Sequence, residues 1–330
     1  MPQILVEDLV KTYRVAERDP GFVGSLRGLV RRRWREVKAL DRVSFTLEAG
    51  ELLGFIGPNG AGKSTMVKIL SGILRPTSGQ VVVAGRVPYE ERIAHVAGIG
   101  VVFGQRTQLW WDLPVIDGFD LLAHIYRIEP SHYRRTRDEL VSLLKLERLL
   151  DQPVRQLSLG QRMRAEIASA LLHEPAILFL DEPTIGLDAP SKLAVREFVL
   201  RLNRERGVTV LLTTHDMHDI EALAQRVLVI GHGQVLADGG LDQLRATALA
   251  ERRLHVNFAS EAPVLTLPGA TVRKREGRTL VLAFDPSATS APSLIAQITA
   301  AYAVEDVHIE APPIEEVVAR FYDLHRAGEA

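Results

Sequence analysis

The sequence predicts a doubly wound α/β domain followed by a smaller α+β domain, on the basis of three observations. The glycine-rich stretch GPNGAGKST, residues 57–65, lies between an apolar run of strand length, 52–56, and a run with helical spacing, 66–70. Further short apolar runs alternate with helical patterns, and each run ends in polar residues. Beyond about Ala246 the sequence changes to strands and helices without a catalytic group of residues.

Composition excludes several classes of site. The chain has 330 residues, enough for one large and one small domain, and a net charge of −1, so we expect no nucleic acid as a partner. It contains no cysteine, which excludes disulfides, thiolate metal sites and cysteine nucleophiles. No apolar run reaches the roughly 18–20 residues that cross a bilayer, and residues 1–10 lack a secretory pattern. If the chain works at a membrane, we expect it to do so through a partner.

The stretch 57–65 fits the pattern G-x-x-x-x-G-K-[ST], with Gly57, Gly62, Lys63 and Ser64 in the fixed positions. Between a strand and a helix, such a turn points backbone N–H groups at phosphate, and the helix adds its positive end. Lys63 is predicted to reach the β- and γ-phosphates of a nucleotide, and the Ser64 hydroxyl to ligate Mg²⁺. The residues predicted to hold the nucleotide here are Gly57, Pro58, Asn59, Gly60, Ala61, Gly62, Lys63, Ser64 and Thr65.

Polar residues follow three other predicted strands, where ligands of α/β sheets gather. Asp181 ends the run AILFL and is predicted to be the second Mg²⁺ ligand, while Glu182 is placed to orient or deprotonate a water. His215 follows another strand and can donate to the γ-phosphate, or it can be a structural histidine. Gln105 follows the strand 98–103 and can hold the attacking water or the metal ion.

The N-terminal region leaves two alternatives open. Tyr13 either stacks on an adenine ring or packs between strands. Residues 14–38 form a basic insert in which the apolar residues from Phe22 onward recur at spacings of three and four, which predicts a basic amphipathic helix. Such a helix either lies against anionic lipid or a membrane partner, or packs with its apolar side on its own domain.

The motifs GPNGAGKST, FGQ, LSLGQ, ILFLDEP, GLD and TTHD resemble, in order and spacing, those of an ABC-transporter nucleotide-binding domain. The resemblance covers roughly residues 3–240. It implies a P-loop NTPase domain over 1–240 with an inserted helical subdomain at about 106–172, and an accessory α+β domain over 246–330. It also implies an adenine-stacking Tyr13, a Q-loop Gln105, a Walker B Asp181, a catalytic Glu182 and a switch His215. The remaining nucleotide contacts that it implies are the signature residues Ser158, Gly160 and Gln161 and the D-loop Asp188.

The resemblance implies an ATPase that uses ATP and Mg²⁺. A second ATP-binding subunit, in a homodimer or a heterodimer, would supply the signature that completes each ATP site. Integral-membrane permease subunits would place the chain peripherally at the cytoplasmic face of the cell membrane. One departure is Leu159, which stands where the signature usually has glycine.

The chain resembles ATP-binding subunits of ABC-2-type exporters, most of all the multidrug or viologen-exporter-like branch. The features that carry this resemblance are the basic insert, the LSLGQ variant, the segment QLWWDLPV and the C-terminal domain. Trp110 and Trp111 either line a groove for a permease helix or fill the helical subdomain's core. Alternatives are the ATPase of a polysaccharide exporter, a soluble ABC ATPase outside transport, and a nucleotide binder without hydrolysis. The helices predicted in the C-terminal domain argue against the polysaccharide exporter, and the single cassette argues against the soluble ABC ATPase. The presence of Glu182 and His215 argues against a nucleotide binder without hydrolysis.

Overall fold

The computed structural model describes residues 2–17, 33–104, 106–248 and 251–328. The chain divides into two compact units, residues 1–238 and 239–330. No helix of the described residues is long and apolar enough to cross a membrane. Each unit has its own hydrophobic core.

The first unit is organised around a six-stranded sheet. Its strands, in spatial order, are β5 (Ile99–Phe103), β6 (Ile177–Asp181), β7 (Thr209–Thr214), β3 (Leu52–Ile56), β8 (Arg226–Gly231) and β9 (Gln234–Gly239). Strands β5, β6, β7, β3 and β8 run parallel, so their carboxyl ends meet at one edge. The predicted α/β class is therefore confirmed.

Layers of helices and a second sheet cover this sheet. A three-stranded antiparallel sheet, in the order β2 (Arg33–Leu47), β1 (Ile4–Glu17), β4 (Ser78–Val83), shares a core with helix α1 (Lys63–Leu70) and one face of the large sheet. The short helix α2 (Arg92–Val96) precedes β5.

Two strand glycines show how closely helices approach the other face of the large sheet. A Cβ on Gly54 of β3 would lie 2.7 Å from Ile220 Cδ1 of α7 (Met217–Leu223), and one on Gly100 of β5 would lie 2.5 Å from the Ala170 carbonyl of α5 (Leu159–Leu171). Because only glycine leaves this room, these helices pack directly on the strand backbone.

A helical segment lies between β5 and β6. It consists of α3 (Val115–Ile125), α4 (Pro130–Leu144), a 3₁₀ turn (Val154–Gln156) and α5. Helix α4 ends at Leu144, because the next residue, Lys145, has a left-handed backbone (φ 54°). Helix α6 (Ala189–Arg206) connects β6 to β7.

The predicted basic helix is wrong for residues 33–38. They belong to β2, which continues the pairing with β1 through Tyr13 opposite Val37 and Ala16 opposite Trp34. The helix-like spacing of apolar residues does not produce a helix here, because residues 33–38 form backbone hydrogen bonds with β1, about 20 residues earlier in the chain. Residues 18–32 of the insert lie outside the described residues.

The second unit is an antiparallel sheet with helices. Helix α8 (Leu241–Ala248) precedes strands β10 (Arg252–Phe258), β11 (Ala270–Glu276) and β12 (Thr279–Phe284), helix α9 (Ala291–Ala301), strand β13 (Val304–Glu310) and helix α10 (Ile314–Gly328). The strand order is β11-β12-β10-β13. Leu254, Val256 and Phe258 alternate with polar residues along β10 and pack with Leu294 and Ile298 of α9.

We predict that Phe258→Ala destabilises the second unit by about 3–5 kcal/mol, because Phe258 is 1% exposed and its removal leaves a cavity in a small core. Hydrogen exchange of the β10 and β12 amides, followed with urea denaturation, measures this loss. Val264→Ala is the control, since Val264 is 81% exposed, and should change stability by no more than about 0.5 kcal/mol. Equal effects of the two substitutions would contradict the assignment of this core.

Candidate functional site

The turn 57–65 connects β3 to α1 and is shaped by glycine. Gly60 and Gly62 have φ values of 83° and 109°, in the left-handed range, and Gly62 is the N-cap of α1 without a side-chain cap among the described residues. The first N–H groups of the helix therefore face a cavity of about 470 Å³. This cavity is lined by Ala39, Asn59, Gly60, Gly62, Lys63, Ser64, Thr65, Glu182, Ile185 and His215.

Lys63 is folded back onto the turn. Its Nζ donates hydrogen bonds to the carbonyl oxygens of Gly57, at 2.6 Å, and Pro58, at 3.2 Å. Burial lowers the pKa of Lys63, opposed by the nearby carboxylates of Glu182 and Asp181. The lysine is thus a poorly solvated cation beside the cavity, with weak carbonyl partners that an anion could replace.

The carboxylate of Asp181 lies between two hydroxyl groups. Ser64 Oγ donates to Asp181 Oδ1 at 3.2 Å, and Thr213 Oγ1 donates to the same oxygen at 2.5 Å. Ser64 is the second residue of α1, whereas Asp181 and Thr213 belong to neighbouring strands. A hydroxyl and a carboxylate this close are the hard oxygen donors that Mg²⁺ prefers, so these residues fit the ion.

Glu182 and His215 form the second pair at this edge. His215 Nδ1 lies 3.1 Å from Glu182 Oε1, and the Glu182 side chain is 16% exposed. Glu182 has φ 55°, a strained conformation for a residue with a side chain, held by its N–H bond to the Thr213 carbonyl at 2.9 Å.

Gly104, directly after β5, leaves room for this conformation. A Cβ on Gly104 would lie 2.1 Å from the Glu182 carbonyl oxygen, and the Gly104 N–H donates to the Asp181 carbonyl at 2.8 Å. Neighbouring strand ends therefore fix the backbone of both carboxylate residues.

Sequence reasoning missed a buried carboxylate, Asp219, that supports these strand ends. It is fully buried and accepts hydrogen bonds from Thr184, Thr214 and Arg196, with Arg196 Nε at 2.6 Å from Asp219 Oδ1. Thr184 follows Glu182 by two residues and Thr214 precedes His215 by one, so Asp219 connects both loops. Its position in α7, four residues after His215, was the only signal in the sequence.

The signature residues and Asp188 form a second group, separate from the residues that line the cavity. Ser158 caps α5: its Oγ accepts from the Gln161 N–H at 3.2 Å, and Gln161 Oε1 accepts from the Ser158 N–H at 2.8 Å. Asp188 caps α6 through the Ser191 N–H at 3.2 Å, and a Cβ on Gly160 would lie 2.3 Å from Ser191 Oγ.

Leu159 packs next to this group. Its Cδ2 lies 2.9 Å from the point that a Cβ would occupy if Gly186 had a side chain. Gly186 has φ 69° and belongs to the loop between Glu182 and Asp188. The leucine at this signature position therefore contacts the loop that follows the two strand-end carboxylates.

Tyr13 is not brought to the cavity. Tyr13 lies in β1, paired with Val37, and the Lys11 ammonium lies 5.2 Å from its ring centroid. It is not among the residues that line the cavity, although Ala39, two residues beyond its partner, is. Gln105 lies outside the described residues.

The model of the ABC transporter family matches residues 40–185, which contain the turn, the signature residues and both strand-end carboxylates. The chain is 33% identical over 303 residues to the daunorubicin resistance ATP-binding protein DrrA3 of Streptomyces coeruleorubidus, across 90% of this chain and 94% of that protein. It is also 32% identical to the methionine import ATP-binding protein MetN of Latilactobacillus sakei, across 85% of this chain and 83% of that protein.

Solved structures agree with these relatives. The dimeric, post-hydrolysis ATP-binding cassette MJ0796 with ADP and Pi aligns with 72% of this chain and 98% of its own, with 28% identity and a TM-score of 0.60. The cbiO1 subunit from Clostridium perfringens aligns with 74% of this chain and 91% of its own, with 27% identity and a TM-score of 0.60. Because the family match, the relatives and the fold agree, the chain belongs to the ABC transporter family, as an ATP-binding subunit with ATPase activity.

Proposed function

We propose that this chain powers an ABC-2-type exporter by hydrolysing ATP for separate permease subunits. The observation that carries this is the alignment with the daunorubicin resistance protein, because it extends over 90% of the chain and so reaches into the second unit. The LSLGQ variant and the QLWWDLPV segment support the same branch.

In this proposal the residues of the turn 57–65 hold the triphosphate, and Lys63 exchanges its two carbonyl partners for phosphate oxygens. Ser64 and Asp181 hold Mg²⁺, which would neutralise charge on the β- and γ-phosphates. Glu182 orients the attacking water and takes its proton, and His215 stabilises the γ-phosphate. Tyr13 is assigned to the adenine ring, and Gln105 to the water and the metal ion.

A second ATP-binding subunit completes each site. The signature group at Ser158, Gly160 and Gln161, together with Asp188, is separate from the cavity in the chain itself, so in this proposal it acts on the nucleotide held by the other subunit. Closure of the two subunits on ATP and their opening after hydrolysis would drive the attached permease.

The permease contact is assigned to the helical segment, at the cytoplasmic face of the membrane. Trp110 and Trp111 are 40% and 49% exposed, and the Arg162 guanidinium lies 5.6 Å from the Trp111 ring centroid. Two half-exposed tryptophans favour an interface over a core position, because buried rings of this size dominate the energy of protein contacts.

We predict that Lys63→Ala weakens ATP binding by about 10- to 100-fold, because the variant loses the binding free energy of a charged hydrogen-bond donor to phosphate. Equilibrium binding of a fluorescent ATP analogue measures it. Lys274→Ala is the matched control, since Lys274 is an exposed lysine of the second unit, and should bind like the wild type. Wild-type affinity in Lys63→Ala would refute the phosphate role.

We predict that Glu182→Gln lowers the ATPase turnover number by about 10²–10⁴-fold while ATP still binds, because the amide cannot accept the proton of the water. Steady-state phosphate release and nucleotide binding are measured together. Glu205→Gln, which changes an exposed glutamate of α6, should leave both values unchanged. Full turnover in Glu182→Gln would eliminate Glu182 as the base.

Direction of transport distinguishes this proposal from an importer such as the methionine relative. We expect the chain, purified from native membranes, to retain a polytopic protein. Inside-out vesicles with both proteins should accumulate daunorubicin when ATP is added, and those with Glu182→Gln should not. ATP-dependent release of methionine from preloaded vesicles would instead establish import.

A further inference from the structure

Three side chains with metal-binding chemistry lie together on the sheet of the second unit. His255 of β10 is paired directly with His308 of β13, and Glu310 follows His308 by two residues. Because side chains alternate along a strand, all three project from the same face. The core residues Leu254 and Val256 flank His255 in sequence and project from the other face.

The three side chains are already close enough to share one ion. His255 Nε2 lies 2.7 Å from Glu310 Oε1, and the rings of His255 and His308 stack with their centroids 4.5 Å apart at 17°. One ligand atom from each residue lies within 4.8 Å of the other two. Across the described ranges, this is the one such group of three or more.

We propose that His255, His308 and Glu310 form a binding site for a divalent transition-metal ion such as Zn²⁺. Two imidazoles with one carboxylate are donors typical of zinc and its neighbours, whereas Mg²⁺ and Ca²⁺ prefer oxygen ligands alone. Three protein ligands leave at least one coordination position for water or another ligand. This site belongs to the second unit and is independent of the ATP site and of the transport direction.

The surrounding charges are compatible with a cation. Arg253, which pairs with Glu310 across the strands, is the nearest cation in the register, and its guanidinium bonds the carboxylate of Glu316 and lies 3.9 Å from that of Glu251. Its positive charge is therefore compensated. His255 also lines a cavity of about 650 Å³, so solvent reaches the group from this side. The other cations that line this cavity are Arg273, Lys274 and Arg320, of which Arg273 pairs with Glu251 and Lys274 with Glu276.

A bound ion would connect the edge strand β13 to the inner strand β10. Strand β13 is held on one side only, and helix α10 begins four residues after it ends. Metal binding to the folded unit but not to the unfolded chain would raise its stability, by mass action.

A plain ion pair is the competing interpretation, and the chain provides a matched example of one. In the first unit, His132 Nε2 lies 3.1 Å from Glu174 Oε2, and the two carboxylates, of Glu174 and Glu310, are similarly exposed. Within the part of the chain that the structure describes, this pair belongs to no group of three potential ligands. His132→Ala therefore removes a histidine–carboxylate pair without removing the proposed site.

The test uses the full-length, chelator-treated protein without nucleotide, titrated with Zn²⁺ in a calorimeter and with Co²⁺ in an absorption spectrometer. We expect one equivalent of Zn²⁺ to bind to the wild type and to His132→Ala alike. His308→Ala and Glu310→Gln should each weaken this binding by at least about tenfold. Even the loss of a residue that only hydrogen-bonds to a metal ligand lowers metal affinity by about that factor. Co²⁺ should give a visible ligand-field spectrum that His308→Ala loses.

Circular dichroism of the metal-free variants checks that both remain folded, as expected for exposed side chains. Equal Zn²⁺ affinity in wild type, His308→Ala and Glu310→Gln would overturn the proposal. So would the absence of an equivalent of bound Zn²⁺ in the wild type, which would leave His255 and Glu310 as a plain ion pair.

Discussion

The site depends on the placement of Asp181 between the hydroxyls of Ser64 and Thr213. These three residues come from α1, β6 and β7, which are far apart in sequence, and they meet because parallel strands end at one edge of the sheet. The same arrangement fixes Glu182, whose N–H bonds the Thr213 carbonyl and whose backbone fits only because Gly104 has no side chain. A shift of any one strand end would therefore disturb the contacts that Asp181 and Glu182 make with the other residues of the site.

A buried carboxylate, Asp219, stabilises the loops at this edge of the sheet. Asp219 is paired with Arg196 and accepts hydrogen bonds from Thr184 and Thr214, so the loops after β6 and β7 share one anchor. A buried carboxylate is tolerated only with such partners. The loop that Thr184 belongs to also contacts Leu159 through Gly186 and ends at Asp188, the cap of α6. The strand-end carboxylates and the signature group are therefore connected through a single loop of the first unit.

Much of the site could be predicted because its signals are local. The turn 57–65 and the apolar runs that end at Asp181 and before His215 are each visible in a few consecutive residues. The strand at residues 33–38 could not be predicted, because these residues show helical spacing but pair with β1, a partner that only the tertiary fold provides. Asp219 was missed for a related reason: one aspartate in a helix pattern does not reveal that Arg196 and two threonines will surround it.

We propose that two ATP-binding subunits close on nucleotide, with the signature of one against the turn 57–65 of the other. Since the chain has no cysteine, Asn59→Cys and Ser158→Cys can be introduced into separate copies that both carry Glu182→Gln, mixed, and treated with a short bifunctional maleimide. We expect a cross-linked pair with ATP and none without nucleotide. A wild-type chain that hydrolyses ATP on its own, combined with no ATP-dependent cross-link, would contradict it.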